Sequence, residues 1–180
     1  MVKPFPKLLP KAYLGKVNLC FPSWSPTRLV EGLGNNMKIY IAGIMQGSMK
    51  VMGIRRQNYR QVIREAIAGN YPDANILDPF SLFPDSVTFD EERAKKVLFE
   101  MTAEAGSSDV VIAYLPEASM GTAMEMIRAF DNGKTIVSIS PMAENWVIRS
   151  LSSKIFPTLD DFCAWVNPTN LAALVNEHRE

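Results

Sequence analysis

Residues 109–125 read DVVIAYLPEASMGTAME, and this stretch decides the fold class. An apolar run over 109–115 is followed by a turn of proline and small residues, and then by residues with helical spacing. A continuous apolar run of this length is typical of a strand buried on both faces of a parallel sheet. The stretch therefore predicts a buried strand that leads directly into a helix beginning at Gly121.

The same alternation of strand and helix extends to both sides. The other predicted strands span 37–43, 74–77, 134–139 and 154–156. The predicted helices span 56–68, 90–105, 121–131, 144–151, 159–166 and about 168–177, and 80–88 is predicted to be a loop. This order predicts a single α/β domain with a doubly wound, Rossmann-like parallel sheet and helices on both faces.

Residues 1–36 differ in composition from the rest of the chain. Five prolines interrupt every possible helix, and five basic residues outnumber the one acid, Glu31. The continuous apolar core that a secretory signal needs is missing after the basic start. We expect 1–36 to be a disordered or extended N-terminal extension, or to precede a start at Met37, and we expect the α/β domain to span 37–180.

The charge balance limits the classes of partner. Nineteen Lys and Arg oppose nineteen Asp and Glu, which argues against binding of a nucleic-acid polymer or an anionic membrane by bulk electrostatics. Apolar runs stay shorter than the roughly 18 to 20 residues that cross a bilayer. We therefore expect a small-molecule ligand, with neither nucleic acid nor membrane as partner.

Cysteine and histidine usage limits the chemistry. Two cysteines are too few for a disulfide framework and fit a reducing compartment, so we expect a cytoplasmic location. The single histidine, His178, lies close to the C-terminus, which argues against a Ser-His-Asp triad or a histidine-rich zinc site. We expect no metal and no cofactor, and we expect the chemistry to depend on carboxylates, hydroxyls and backbone dipoles.

The loop after the first predicted strand is one candidate site, since ligands of such sheets bind at the carboxyl ends of the strands. Gly43, Gly47 and Ser48 would let backbone N–H groups approach a phosphate, although taken alone the loop favours a plain glycine turn. Arg55 and Arg56 are placed at a helix start, where a cation is unfavourable. This placement suggests a nearby anion, although a solvated surface pair remains the default interpretation.

The loop after strand 109–115 is richer. Ser119, with the free N–H groups near Gly121 and Thr122, could hold an anion at the helix start, and an N-cap role for Ser119 is the alternative. Asp78, which ends the second strand before a proline, could face a ligand or simply begin a turn.

Glu125 lies about one turn into the same helix. It faces the crevice if Met124 and Ile127 face the sheet. An acid in the first turn of a helix is also favourable for electrostatic reasons alone, so the spacing leaves both roles open.

Four segments carry a resemblance to a known family: IYIAG (39–43), SDVVIA (108–113), SMGTAMEM (119–126) and GK (133–134). Together they resemble the nucleoside 2-deoxyribosyltransferase superfamily over about 37–142. The resemblance implies that Glu125 attacks the anomeric carbon C1′ of a sugar and that Tyr40 hydrogen-bonds and orients its carboxylate. A carboxylate suits the oxocarbenium-like state of N-glycosidic cleavage.

Ser119 occupies the position, six residues before the Glu, that divides this superfamily. A Ser there resembles the nucleoside 5′-monophosphate N-glycosidases, in which it contacts the 5′-phosphate, whereas the transferases often carry an Asp. The resemblance implies hydrolysis of a nucleoside 5′-monophosphate to free base and (deoxy)ribose 5-phosphate, with Gly43, Gly47, Ser48 and Arg56 on the facing loop. The alternatives are base exchange by a 2-deoxyribosyltransferase and a non-catalytic nucleotide-binding module.

Met101 marks a departure from the family pattern. The family usually places an Asp there, eight residues before the position of Asp109, and this Asp helps with the sugar or the leaving base. Either Glu100 substitutes for it from a shifted helix register, or the role is absent or filled elsewhere, Glu104 being the other near acid. The resemblance also implies a homodimer or larger homo-oligomer.

Two groups of apolar residues receive structural predictions. Trp146, Phe162 and Trp165 fall on amphipathic helices and are expected in the core. The methionines of the first loop are expected to line an apolar base pocket or a subunit contact. They are Met45, Met49 and Met52.

Overall fold

A computed structural model of the chain describes residues 37–46 and 53–178. The predicted extension at 1–36 lies outside the described residues, and so do Gly47, Ser48, Met49 and Met52 of the first loop.

Five parallel strands form one sheet. They are β1 (Lys38–Gly43), β2 (Asn75–Leu77), β3 (Val110–Tyr114), β4 (Thr135–Ile139) and β5 (Lys154–Phe156). Their spatial order is β2-β1-β3-β4-β5, so the chain winds outward in both directions from β1 and β3. This confirms the predicted doubly wound parallel sheet.

Seven α-helices lie between and after the strands in the described part of the chain. They are α1 (Asn58–Asn70), α2 (Pro79–Leu82), α3 (Glu91–Ser107), α4 (Met120–Asp131), α5 (Trp146–Leu151), α6 (Leu159–Trp165) and α7 (Asn170–Glu177). Among these helices none combines the length and apolar character that a bilayer crossing requires. The predicted loop at 80–88 is wrong in part, because α2 and a 3-10 turn at Ser86–Thr88 occupy it. The Asp78 side chain accepts from the Phe80 N–H, which caps α2.

Two apolar cores cover the two faces of the sheet. In β1, Ile39 and Ile41 point to the face covered by α1, α6 and α7, while Tyr40 and Ala42 point to the face covered by α3, α4 and α5. Successive side chains of a strand alternate between faces, so a strand covered on both sides must be apolar at every position. The predicted arrangement of helices on both faces is confirmed.

The predicted burial of Trp146 and the predicted orientation of helix α4 are wrong. Phe162 is fully buried and Trp165 packs beside it, but Trp146 is 78% exposed at the start of α5. In α4 it is Met126 and Ala129 that are buried against the sheet, whereas Ile127 is exposed. Helix α4 is therefore rotated about its axis relative to the predicted orientation. The packing, and not the local spacing, sets which side of the helix faces the sheet.

Candidate active site

A hydrogen bond between β1 and α4 forms the centre of the site. The Tyr40 hydroxyl donates to Glu125 Oε1 at 2.5 Å, although the two residues are 85 positions apart in the chain. Tyr40 is fully buried and points to the sheet face on which α4 packs. The structure thus places the two predicted catalytic side chains in direct contact, with the second carboxylate oxygen left without a hydrogen bond to Tyr40.

Glu125 opens into a cavity of about 270 Å³ at the carboxyl end of the sheet, which we call the Glu125 cavity. Its polar lining comes from the loops after β1 and β3, from the 3-10 turn and from α4: Gln46, Ser119, Ser86 and Glu125. Its apolar lining comes from the loop after β1, from α2, α3 and their connection, and from the start of α4: Met45, Pro79, Phe83, Phe89, Ala94, Val97, Leu98, Met101 and Met120. Met45 thus lies where an apolar pocket was expected.

Burial changes the protonation of both central residues. It raises the pKa of the Glu125 carboxyl to about 7, while the Tyr40 hydrogen bond and the Arg60 charge act in the opposite direction. Burial and the neighbouring Glu125 charge raise the pKa of Tyr40 far above its ordinary value. Tyr40 therefore remains a hydrogen-bond donor at every pH of interest, and Glu125 ionises near neutrality.

Ser119 is the N-cap of α4. Its hydroxyl oxygen accepts from the Thr122 N–H at 3.4 Å and from the Thr122 hydroxyl at 3.0 Å. The capping alternative therefore describes its intramolecular role, while Ser119 and Gly121 also line the Glu125 cavity. A side chain at Gly121 would meet no atom within 4 Å, so this first turn of α4 borders open space. A phosphate contact by Ser119 or Thr122 stays a prediction.

Arg56 lies in a different cavity, which we call the Arg56 cavity. It has a volume of about 590 Å³ and is lined by Ile44, Arg55, Arg56, Asn58, Tyr59, Tyr114, Pro116 and Glu117. Helix α1 begins only at Asn58, so Arg56 does not stand on its first turn. The anion that the arginines indicated is the Glu117 carboxylate, 2.7 Å from Arg55. The structure does not bring Arg56 to the residues that line the Glu125 cavity.

Gly43 is required by packing against a tyrosine. A Cβ atom at Gly43 would lie 2.9 Å from the Tyr59 ring. The Tyr59 hydroxyl donates to the Ile44 carbonyl at 3.3 Å, and its ring stacks on Tyr114 with centroids 4.2 Å apart. The glycine is therefore explained by the ring above it, with no need for a phosphate.

Replacing Gly43 with alanine is expected to destabilise the protein by about 1–3 kcal/mol, because the buried and stacked Tyr59 ring has little room to move. Urea unfolding would measure this change in the free energy of unfolding. Gly69→Ala is the matched control, since a Cβ at this helical glycine meets nothing within 4 Å and should leave stability unchanged or raised. Equal stability of the two variants would contradict the packing explanation.

Asp78 is engaged by the protein itself. Arg60 donates to its Oδ1 at 2.7 Å, and the Ser81 hydroxyl donates to its Oδ2 at 2.8 Å. Only 4% of Asp78 is exposed. The predicted substrate contact is thus replaced by an ion pair and a helix cap, in line with the turn interpretation.

Arg60 is the residue that the sequence analysis missed. It is 3% exposed, and besides Asp78 its guanidinium reaches the Ile41 and Gly43 carbonyls at the end of β1, at 3.0 and 3.2 Å. The signal was available: Arg60 lies three and seven residues before Ile63 and Ile67, on the buried stripe of α1. A charged residue on such a stripe must be paired, and here it fixes the strand end that carries Tyr40.

The acid that the family places at Met101 has no replacement among the described lining residues. Met101 itself lines the Glu125 cavity. Glu104 pairs with Lys38 at 2.6 Å, and Glu100 is exposed and lies 3.8 Å from Lys96. Neither glutamate reaches the cavity, so the suggestion that Glu100 substitutes from a shifted register is not supported.

Replacing Tyr40 with phenylalanine is expected to lower kcat/KM by about 10- to 100-fold, because Glu125 loses the donor that orients it. That hydrogen bond also lowers the pKa of Glu125, so the acidic limb of the pH profile should move above pH 7. Kinetics from pH 5 to 9 would measure both effects. Tyr59→Phe, which removes a buried hydroxyl from the other cavity, is the control and should keep the limb in place.

Comparisons with known proteins show which solved structures share this fold. The chain matches no protein-family model and no curated protein sequence. Among solved structures, a 2-deoxyribosyltransferase of Bacillus psychrosaccharolyticus overlaps with a TM-score of 0.56 at 18% identity, over 76% of this chain and 95% of that one. A conserved protein of Enterococcus faecalis V583 gives 0.49 at 17% identity over 71% and 95%, and a CMP N-glycosidase of Clostridium botulinum gives 0.42 at 15% over 71% and 94%. The chain therefore has the fold of a 2-deoxyribosyltransferase, as its sequence resemblance implies.

Proposed function

We propose that this protein hydrolyses the N-glycosidic bond of a nucleoside 5′-monophosphate and that Glu125 is the nucleophile. The observation that carries the proposal is the Tyr40–Glu125 hydrogen bond in a cavity at the carboxyl end of the sheet. Burial there raises the pKa of Glu125 to about 7, so the carboxylate is available near neutral pH and is poorly solvated. Both properties favour a nucleophilic role.

The proposed reaction has two steps. Glu125 attacks C1′ through the oxygen that Tyr40 does not bind, the C1′–N bond breaks, and the base leaves with the bonding electron pair. Water then attacks C1′ of the glycosyl ester, the C1′–O bond to Glu125 breaks, and the water's proton passes to the released base anion, directly or through solvent. This step releases the sugar phosphate and regenerates the carboxylate. Tyr40 fixes the carboxylate by one hydrogen bond and can stabilise the charge that returns to it.

The start of α4 supports a phosphate at the other end of the substrate. Ser119 and Gly121 line the same cavity as Glu125, and α4 has twelve residues. The N-terminus of such a helix favours an anion, and a hydroxyl there can donate to phosphate where a carboxylate would repel it. We therefore assign the 5′-phosphate to Ser119 and Gly121, without Arg56. Thr122 is 1% exposed and donates to the Ser119 hydroxyl oxygen instead.

Base exchange is the second candidate. It is favoured by the similarity of the fold to a 2-deoxyribosyltransferase. The first step would be identical, and an acceptor base would replace water in the second. The Glu125 cavity alone does not show whether water or a base is the acceptor, so the assay has to test both.

The deciding assay follows free base by chromatography. Ribo- and deoxyribonucleoside 5′-monophosphates are compared with the unphosphorylated nucleosides, with and without an added acceptor base. Base released from monophosphates in water alone supports the hydrolase, and release from nucleosides that depends on the acceptor supports the transferase. Nucleotide binding without release of base from any substrate would overturn both and leave a binding module.

We also propose that the protein acts as a cytoplasmic homo-oligomer. Support comes from exposed apolar side chains on α2, α3 and α4: Leu82, Leu98, Phe99 and Met120. Leu98 and Met120 line the Glu125 cavity itself, so a second copy packed there would close it. Light scattering would measure the mass, and a monomer at micromolar concentration would contradict this part.

A further inference from the structure

One wall of the Glu125 cavity is apolar and aromatic. It is formed by α2, α3 and their connection, through Phe83, Phe89, Val97, Leu98 and Met101. Phe83 and Phe89 meet edge to face, with ring centroids 6.0 Å apart and planes at 81°. This wall presents aromatic rings, alkyl groups and a thioether to whatever lies beside Glu125.

Groups that could protonate a departing base do not come from this wall. Of the described residues that line the cavity, Glu125 is the one with an ionisable side chain, and it is committed to C1′. Arg93 lies near the wall, with its guanidinium 3.7 Å from the Phe89 ring centroid, and arginine keeps its proton at all relevant pH. The polar side chains Gln46 and Ser86 are neutral and can hydrogen-bond without transferring a proton.

The charge of the leaving base therefore decides how easily it departs. A neutral base leaves as an anion unless a proton arrives, and an anion against ring faces is unfavourable. A base alkylated on a ring nitrogen is already a cation. When its C1′–N bond breaks, the electron pair neutralises that nitrogen, while a Glu125 oxygen forms the new bond to C1′, and no proton is needed.

The same wall suits both states of such a base. Before cleavage, the Phe83 ring and the nearby Glu125 carboxylate attract a delocalised cation. The Phe89 ring already carries the Arg93 guanidinium on one face and adds less. After cleavage, the product is a neutral heteroaromatic ring that an apolar wall accommodates. The attraction to the carboxylate also brings C1′ towards the attacking oxygen.

We propose that the preferred substrates are nucleoside 5′-monophosphates whose base is a cationic, ring-nitrogen-alkylated heterocycle. This inference rests on the proposed function and specifies its substrate class. Met101, an α3 side chain of the wall, is the specificity-determining position, because an acid in its place would line the cavity beside Glu125.

The test compares two ribonucleotides with six-membered bases, nicotinamide mononucleotide as the pyridinium and uridine 5′-monophosphate as the neutral base, together with their 2′-deoxy forms. Base release by the full-length protein should be faster for the pyridinium by about 10²-fold or more in kcat/KM, the usual contribution of a general acid. Its rate should rise with pH through the ionisation of Glu125 and stay level at higher pH.

Met101→Asp places an acid in the wall. The variant and the unmodified protein are compared on the same substrate, so the intrinsic reactivity of the pyridinium cancels. Met101→Asp should raise kcat/KM for the uracil substrates by about 10-fold or more and should not raise it for the pyridinium. Met101→Asn, which is polar but not acidic, is the matched control and should raise neither. Thermal melting would verify that both variants fold. If they do not, the ratio of the two hydrolysis rates measured without protein supplies the correction, and the ratio with the unmodified protein must exceed it.

The outcomes separate this inference from the proposed function. Equal rates on the two substrate types, a falling limb at high pH, or cleavage of the uracil nucleotides alone would overturn the inference and leave the hydrolase standing. Release of base from nucleosides but from no monophosphate would overturn the proposed function, and the inference with it.

Discussion

Replacing Glu125 with glutamine is expected to abolish release of base, with kcat/KM lowered by at least about 10³-fold, while making the folded protein more stable above pH 7. The loss follows because an amide oxygen is a poor nucleophile towards C1′ and cannot carry the charge of the carboxylate. The geometry should survive, since the amide oxygen can still accept the Tyr40 hydrogen bond.

The gain in stability follows from the raised pKa. Burial moves the pKa of Glu125 from 4.5 to about 7, so the folded protein binds this proton more tightly than the unfolded chain does. Ionisation of Glu125 therefore lowers the free energy of unfolding as the pH rises from 4.5 to about 7. The loss reaches up to about 3 kcal/mol and stays constant at higher pH. Removing the charge should remove that destabilisation, which would be absent near pH 4.5 and complete at pH 8.

Kinetics and urea unfolding at pH 4.5 and pH 8 would measure both effects. Glu117→Gln is the matched control: it makes the same chemical change at a carboxylate of the Arg56 cavity, and it should keep activity. A Glu125→Gln variant that retains a tenth of the activity would contradict the nucleophile. One that is less stable than the unmodified protein at pH 8 would contradict the unfavourable burial of the charge.

Replacing Arg60 with methionine is expected to reduce the free energy of unfolding by about 3–5 kcal/mol. The change removes the 2.7 Å ion pair with Asp78 and leaves that 4%-exposed carboxylate without its main partner. It also leaves the Ile41 and Gly43 carbonyls without their guanidinium donor. Arg64, 3.6 Å from Asp78, remains as a second cation and limits the loss.

Activity should change in the same variant. The Arg60 charge lowers the pKa of Glu125, so its removal should move the acidic limb of the pH profile to higher pH, measured on the folded fraction. A purely structural role for Arg60 would lower stability without moving this limb.

Two further variants test the Arg60 explanation. Arg64→Met removes a partly exposed cation from the same carboxylate and should lower stability by less than about 1 kcal/mol. Adding Asp78→Asn to Arg60→Met removes the unpaired charge and should restore part of the stability. Unfolding of Arg60→Met at the same urea concentration as the unmodified protein would refute the buried ion pair.

Much of the architecture could be predicted from local sequence. The run over 109–115 lies almost wholly in β3, and the strand and helix segments on either side alternate as predicted. Such patterns are readable because a strand buried on both faces must be apolar along its whole length. The 80–88 segment was less readable, since α2 is only one turn long and depends on its Asp78 cap.

The candidate site, too, could be predicted only in part. Glu125, Tyr40 and Ser119 were identified by family resemblance, and the first two meet in a hydrogen bond. Arg56 was grouped with them because its loop follows β1 as the Ser119 loop follows β3, but the two loops border different cavities. The position of a loop in the sequence predicts at which edge of the sheet the loop lies. It does not predict which of the cavities at that edge the loop borders.

The sequence by itself determined the order of strands and helices and the parallel sheet, because these depend on residue type and local spacing, and its family resemblance predicted Glu125 as the reactive carboxylate. Only the tertiary structure decided how α4 is rotated, that Arg60 and not Arg56 is the cation electrostatically linked to Glu125, and that an apolar wall stands beside it. These features depend on which side chains fill the space between elements far apart in the chain. Such packing is set by contacts across the fold, which local spacing does not encode.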